Sequence, residues 1–323
     1  MAFPGYSLSA LPLRISRSNL LSGAPEFAGR LARSLACLLI LALAFATTRA
    51  HALQPYLAAD KVEGESLEVR MALVERKLTG AGFTVLGRHL PAGLGGATLV
   101  VTDPDLLAAL ANTGGSDIVA APIRVAVMGD GRVSSINPEY WARAFVAPEH
   151  YARVEGAVAG AARRLHEALH TGKPFGGEVA ATELPRYHYM FGMERFADRA
   201  LVREMPGFDA ALATVNANLG AGVAGTSKVY QLVLVPGHLA VVGFAQNDPA
   251  KGEAWWVKRI DGEAHLAALP WEVFIVDGKI YGLYARYRTA LAWPELGMGQ
   301  FMTIVNHPDA TLATVRAIAG VKE

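Results

Sequence analysis

The chain has 323 residues, enough for two domains of ordinary size, each with its own core. Hydrophobic residues make up 52% and charged residues only 18%, which excludes an intrinsically disordered chain. The formal net charge is +1 and there is one cysteine, Cys37, so the body of the protein has neither a basic cluster nor a disulfide framework.

Taken from the start, Leu35 to Ala46 form an uninterrupted apolar run, preceded by Arg30 and Arg33 and followed by Ala50, His51 and Ala52. A basic flank, a short apolar stretch and small residues at the −3 and −1 positions predict a secretory signal peptide over residues 1–52, cleaved after Ala52. The run is too short to span about 30 Å of hydrocarbon, so a cleaved leader is expected rather than an anchor. Cys37 lies inside it, with Ser34 where a lipoprotein site needs an aliphatic residue. The mature chain is therefore expected to be cysteine-free, exported to the periplasm or secreted, and off the membrane. It would carry 25 basic against 28 acidic residues, which gives no footprint for nucleic acid.

Apolar residues at Leu67, Met71, Val74 and Leu78 follow Ser66 at helical spacing and stop at Gly80 and Gly82. Extended stretches are expected from Phe83 and from Ala97, the second ending at Asp103-Pro104, an N-cap acid with proline at the first helical position. Alternating residues from Pro122 run through Asp130-Gly131 to Ile136, a hairpin signal. Asn137-Pro138 opens a helical stretch, and a longer helix follows Pro148. The order then returns: a helix near Phe208 to Leu219, strands from Val229 and Leu239, Asp248-Pro249 opening a helix with Trp255 and Trp256, and a hairpin from Pro270 through Asp277-Gly278. Three landmarks pair at offsets of 145, 148 and 147. This predicts a duplication: a first α+β domain over 53–170, a Gly/Pro-rich linker over 171–185 and a second α+β domain over 186–323.

Residues from about Ser66 to Phe145 resemble the uncharacterised bacterial family called domain of unknown function 302. The likeness is carried by Gly82-Phe83, by the strand ending in Asp103-Pro104 with Leu106 and Leu107 behind it, and by Pro122 through the Asp-Gly turn to Asn137-Pro138. The second copy, about Tyr187 to Leu296, keeps the plan but has Ala285-Arg286 in place of Asn137-Pro138. The resemblance implies two tandem β-α-β(4)-α domains, antiparallel sheets with helices on one face, and supplies no catalytic residues.

Two constellations could carry chemistry. His166, Glu167 and His170 match the H-E-x-x-H pattern, in which two histidines one turn apart share zinc and the glutamate activates its water. A third ligand is required, and no carboxylate or histidine falls at the usual downstream spacings. Read as a strand, Tyr187 to Met193 places His188, Met190 and Glu194 on one face, and Met298, Met302 and His307 would complete an imidazole and thioether set for copper. Against both, histidines in a last helical turn suit the helix dipole, and methionine beside aromatic rings fills cores. Trp271, Phe274, Tyr281, Tyr284, Tyr287 and Trp293 concentrate in the second domain. Tyr281 and Tyr287 are expected on one strand face, with part of the set lining a groove for a small apolar ligand or a partner. The favoured reading is a non-enzymatic periplasmic binding or accessory protein without cofactor, its partner a small apolar ligand or a periplasmic protein. The alternatives are the zinc-dependent hydrolase and the copper protein.

Overall fold

The computed structural model describes residues 51–321, so the expected leader up to residue 50, with its apolar run at 35–46, lies outside the described residues. The first half runs β2 (Tyr56–Ala59), α1 (Leu67–Gly80), β3 (Thr84–His89), β4 (Gly96–Thr102), α2 (Pro104–Thr113), a 3-10 segment (Gly115–Ala120), β5 (Ile123–Met128), β6 (Val133–Ile136), α3 (Pro138–Phe145) and α4 (Pro148–Leu169). The second half repeats the order: β9 (Ala200–Glu204), α5 (Phe208–Gly220), β10 (Thr226–Val235), β11 (Leu239–Gln246), α6 (Glu253–Arg259), a 3-10 segment (Gly262–Ala268), β12 (Trp271–Val276), β13 (Lys279–Gly282) and α7 (Ala285–Ala292). Helices α8 (Met298–Thr303) and α9 (His307–Ile318) close the chain. The sheets are ordered β3-β4-β5-β6-β2-β7 and β10-β11-β12-β13-β9, where β7 is Pro174–Phe175, and all pairings are antiparallel. The fold is thus α+β with antiparallel sheets. No helix among the described residues is long and apolar enough to cross a membrane.

The local reasons are those the residues suggest. Ser66 caps α1, accepting from the Val69 amide at 3.3 Å, and Met71, Val74 and Leu78 are buried along one face. One Asp103 carboxylate oxygen accepts from the amides of Asp105 and Leu106, both at 3.0 Å, ahead of Pro104. Asn137 caps α3 in the same way, accepting from the Glu139 amide at 3.2 Å.

Several expectations need correction. Asp248 does not cap α6: its side chain accepts from the Ala250 amide at 2.8 Å in a separate turn, and the helix starts only at Glu253. An Asp-Pro pair suits a turn as well as a helix start, so this landmark does not carry over between the halves. The segment expected as a linker holds β7 in the first sheet and β8 (Val179–Ala180), which pairs with β1 (Ala52–Leu53). Tyr187 to Met193 form bends and turns rather than a strand. The last hairpin strand stops at Gly282; Tyr284 precedes α7, and Tyr287 lies within that helix. Without an Asn-Pro cap, that helix start was not readable from local residues.

Each sheet is buried on two sides. Thr98, opposite Ala126 in the β4–β5 ladder, donates from Oγ1 to the Leu266 carbonyl at 2.9 Å, so that face meets the 3-10 segment of the second half. Reciprocally, the Gly115–Ala120 segment packs on β11 and β12. Every residue of β4, β5 and β11 is buried, and the apolar cores merge into one cluster. The contact has the self-complementary pattern of a two-fold interface. Tyr140 donates its hydroxyl proton to the Leu291 carbonyl at 2.8 Å, while Tyr287 donates to the Ala144 carbonyl at 3.1 Å. Both members of the second pair are shifted by the same 147 positions. All of these groups are buried, so each tyrosine-to-phenylalanine change should cost about 1–2 kcal/mol through a lost bond and an orphaned carbonyl. Urea denaturation should show Tyr140→Phe and Tyr287→Phe with similar losses; one large loss beside a null effect would contradict equivalent roles.

Candidate functional site

The H-E-x-x-H residues do not converge. His166 Nδ1 lies 2.7 Å from the Thr171 carbonyl, whereas His170 leaves the helix at φ 52 and places Nδ1 2.8 Å from Asp60 Oδ2. The left-handed turn at His170 ends the helical spacing on which a shared ion depends. Nor do the copper candidates meet. His188 Nδ1 lies 3.2 Å from the Arg186 carbonyl, and Met190, Met298 and Met302 are exposed. His307 is fully buried, stacked on Trp256 at 4.5 Å. Among the described residues no three His, Cys, Asp or Glu side chains are placed to hold a metal ion together.

Where the halves meet, a charged cluster is closed off from solvent. Arg124 of β5 donates from Nη1 to Glu272 of β12 at 2.6 Å and from Nε to the Ala267 carbonyl at 2.9 Å. Arg288 of α7 lies 3.6 Å from the other Glu272 oxygen and donates to the Ala268 carbonyl at 2.8 Å. Both guanidinium groups lie against Trp141 of α3, at 5.0 and 4.6 Å from its ring centre. Burial and then the neighbouring Arg124 push the Arg288 pKa down to about 10, so it stays charged at neutral pH. Arg124 and Glu272 each stand two residues after the paired prolines, and Trp141 and Arg288 each follow the paired tyrosines. Equivalent positions therefore face one another with unlike, complementary residues. Beside them Tyr230 lies over Gly243, where a Cβ would come within 2.0 Å of its ring, so only glycine fits there. The cluster has the character of an internal lock rather than of a binding site.

A site open to solvent lies on the same face of the first sheet, toward the β6–β2–β7 edge. Counted inward from each Asp-Gly turn, the pair Ala126 and Ser134 corresponds to Phe274 and Tyr281. In the second half these are two stacked rings, centres 5.3 Å apart and 14° from parallel, with the Arg199 guanidinium 5.5 Å from Tyr281. In the first half a groove of about 370 Å³ opens beside Ser134, while Ala126 stays buried in the sheet. Ala58, Met128, Val133 and Ser134 line its floor, and Phe175 and Ala264 its end. Lys61, Arg132 and Lys173 also line it, with no carboxylate among the lining residues. Arg132 is paired with Asp130 at 2.7 Å, while neither lysine makes an ion pair among the described residues.

Behind that end stands an aromatic group: Phe175, Tyr56 and His265, with ring centres 5.0 to 5.6 Å apart. Neither His265 nitrogen has a hydrogen-bond partner; the nearest carboxylate oxygen is Glu295 Oε1 at 3.7 Å. Desolvation holds its pKa down to about 4, so the ring is neutral at physiological pH. Gly176, at φ 100, lets the backbone pass this group, since a Cβ would lie 2.8 Å from the Tyr56 ring.

The expected groove of second-half aromatics is not the one observed. Trp271, Phe274, Tyr287 and Trp293 are core residues, and the groove lies in the other half, where Ser134 stands at the position of Tyr281. Lys61, Ser134 and Lys173 were not readable as site residues, because nothing local marks them; only setting Ser134 beside Tyr281 does. A second cleft of about 360 Å³ runs between Pro91–Gly93 and α6, above the buried His89–Glu253 pair at 2.7 Å. Its lining mixes Asp248 and Glu253 with Lys258 and Arg259 and favours neither sign of charge.

Comparison with known proteins gave no matching family model, no similar curated protein and no similar solved structure.

Proposed function

We propose that this is an exported, non-enzymatic binding protein that holds a small apolar ligand in the first-half groove. On this reading it consists of two copies of a unit resembling domain of unknown function 302, one of which keeps its cavity while the other fills it with its own side chains. The observation that carries the proposal is that Ser134, which lines the groove, stands at the ladder position that Tyr281 fills with a ring in the other half. Rings that complete one half imply that a ring of similar size is accommodated in the other. The floor is apolar, and its volume falls in the range of small-molecule sites. The shared strand order of the two sheets supports the two-copy reading, and the apolar run at 35–46 supports export.

The test uses a neutral fluorescent probe, N-phenylnaphthylamine. Titration should give saturable one-to-one binding, and Ser134→Trp, which fills the groove with a ring of the protein's own, should abolish it while leaving the circular dichroism spectrum unchanged. No saturable binding by the unaltered protein would overturn the proposal.

A further inference from the structure

Resting on that binding reading, the groove geometry points to a small apolar anion, an aromatic carboxylate or sulfonate, as the class of ligand the site selects. The first ground is charge. Three cationic side chains and no carboxylate line the groove; Asp130, which pairs with Arg132 and also feels the charge of Lys61, is a single counter-charge beside the three. Lys61 and Lys173 are both exposed, so their ammonium groups keep their hydration while the stems reach the apolar floor. A cation pair at the mouth of an apolar slot adds little to a neutral ligand and attracts an anionic one.

The second ground is the other half of the molecule. There the equivalent place holds an aromatic pair with a guanidinium 5.5 Å from one ring. The protein thus contains a filled counterpart of the groove: a planar apolar body on the sheet with a cation over one of its rings. A ligand repeating that arrangement places its ring over Ser134, near Phe175, and its acidic group between Lys61 and Lys173. Lys173 is brought there by the strand edge itself, its carbonyl accepting from the Ala58 amide at 2.8 Å. The two lysines come from opposite ends of the first half and no sequence spacing relates them.

The third ground is the group at the closed end. Tyr56 donates its hydroxyl to the Ala292 carbonyl at 2.9 Å, and His265 is neutral. Neither ring carries a negative charge, and Glu295, 3.7 Å from His265 Nε2, is exposed to solvent.

The experiment compares two probes with the same rings. Anilinonaphthalene sulfonate differs from N-phenylnaphthylamine by one sulfonate. The anionic probe should bind about tenfold more tightly at low ionic strength, an advantage that salt should reduce. In the double variant Lys61→Gln/Lys173→Gln the two probes should bind alike, the tenfold ratio between them falling to about one. Both lysines are exposed, so loss of fold does not confound this variant. Equal affinity of the two probes for the unaltered protein would overturn the anion inference while leaving the binding reading intact. A preference that survives the lysine changes, or anionic binding that survives Ser134→Trp, would overturn it too, because the anion would then sit elsewhere. Failure of both probes to bind would remove the binding reading and the inference with it.

Discussion

Glu272→Gln should lower the unfolding free energy by about 3–5 kcal/mol, because it leaves two buried guanidinium groups without a carboxylate. Arg124, Glu272 and Arg288 are each no more than 3% exposed, so water cannot replace the lost charge. Trp141 offers its ring face to both cations, but a desolvated cation–π contact of about 2 kcal/mol does not offset an uncompensated buried charge. The change is close to isosteric, so the loss measures charge and hydrogen bonding rather than packing. The triple variant Arg124→Met/Glu272→Leu/Arg288→Met should be far less damaged, since apolar replacements of whole buried ion clusters are often neutral or stabilising. Guanidinium chloride denaturation of the two variants decides the matter. A Glu272→Gln protein as stable as the original would show that the cluster does not hold the halves together.

Acid should destabilise the protein well before its surface carboxylates are protonated. His307 is fully enclosed, its Nε2 3.3 Å from Thr289 Oγ1 and its Nδ1 3.2 Å from Thr311 Oγ1, and burial pushes its pKa down to about 3. His265 is held down to about 4 by the same cause. Both folded values lie below the unfolded value near 6.5, so below that pH the unfolded chain binds more protons. Stability is therefore full above about pH 6.5 and falls as the pH drops toward 4 and then 3. At 1.36 kcal/mol per pKa unit the upper limits are about 3 kcal/mol for His265 and about 5 kcal/mol for His307. Denaturation curves at pH 7.5, 5.5 and 4.5 should show this loss, and His307→Gln should flatten the slope below pH 6 even though it starts less stable. An unchanged slope in that variant would show that His307 is not the source.

Much of the fold was legible because it is written in local chemistry. Asp103-Pro104 and Asn137-Pro138 fix helix starts, and the Asp-Gly turns fix hairpins, within four residues of sequence. The first strands of the two halves, Tyr56–Ala59 and Ala200–Glu204, were missed as residue patterns, since four or five residues carry little alternation. The loop from Tyr187 to Met193 alternates like a strand but finds no partner ladder. The site was not legible at all. Arg124 and Glu272 are 148 positions apart, and the groove depends on residues that are small, which no periodicity marks.

The unlike residues at facing positions bear on stoichiometry. In a symmetric dimer of identical chains, a side chain on the two-fold axis meets its own copy, so arginine would meet arginine and glutamate would meet glutamate. Joining two copies in one polypeptide lifts that restriction, and each member of a facing pair can then drift to complement the other. The same freedom extends away from the axis, where Phe274 and Tyr281 could enlarge without their counterparts doing so. On the two-copy reading proposed above, an ancestral pair would have offered two identical grooves, whereas the single chain offers one, and the proposed ligand would then bind one for each molecule.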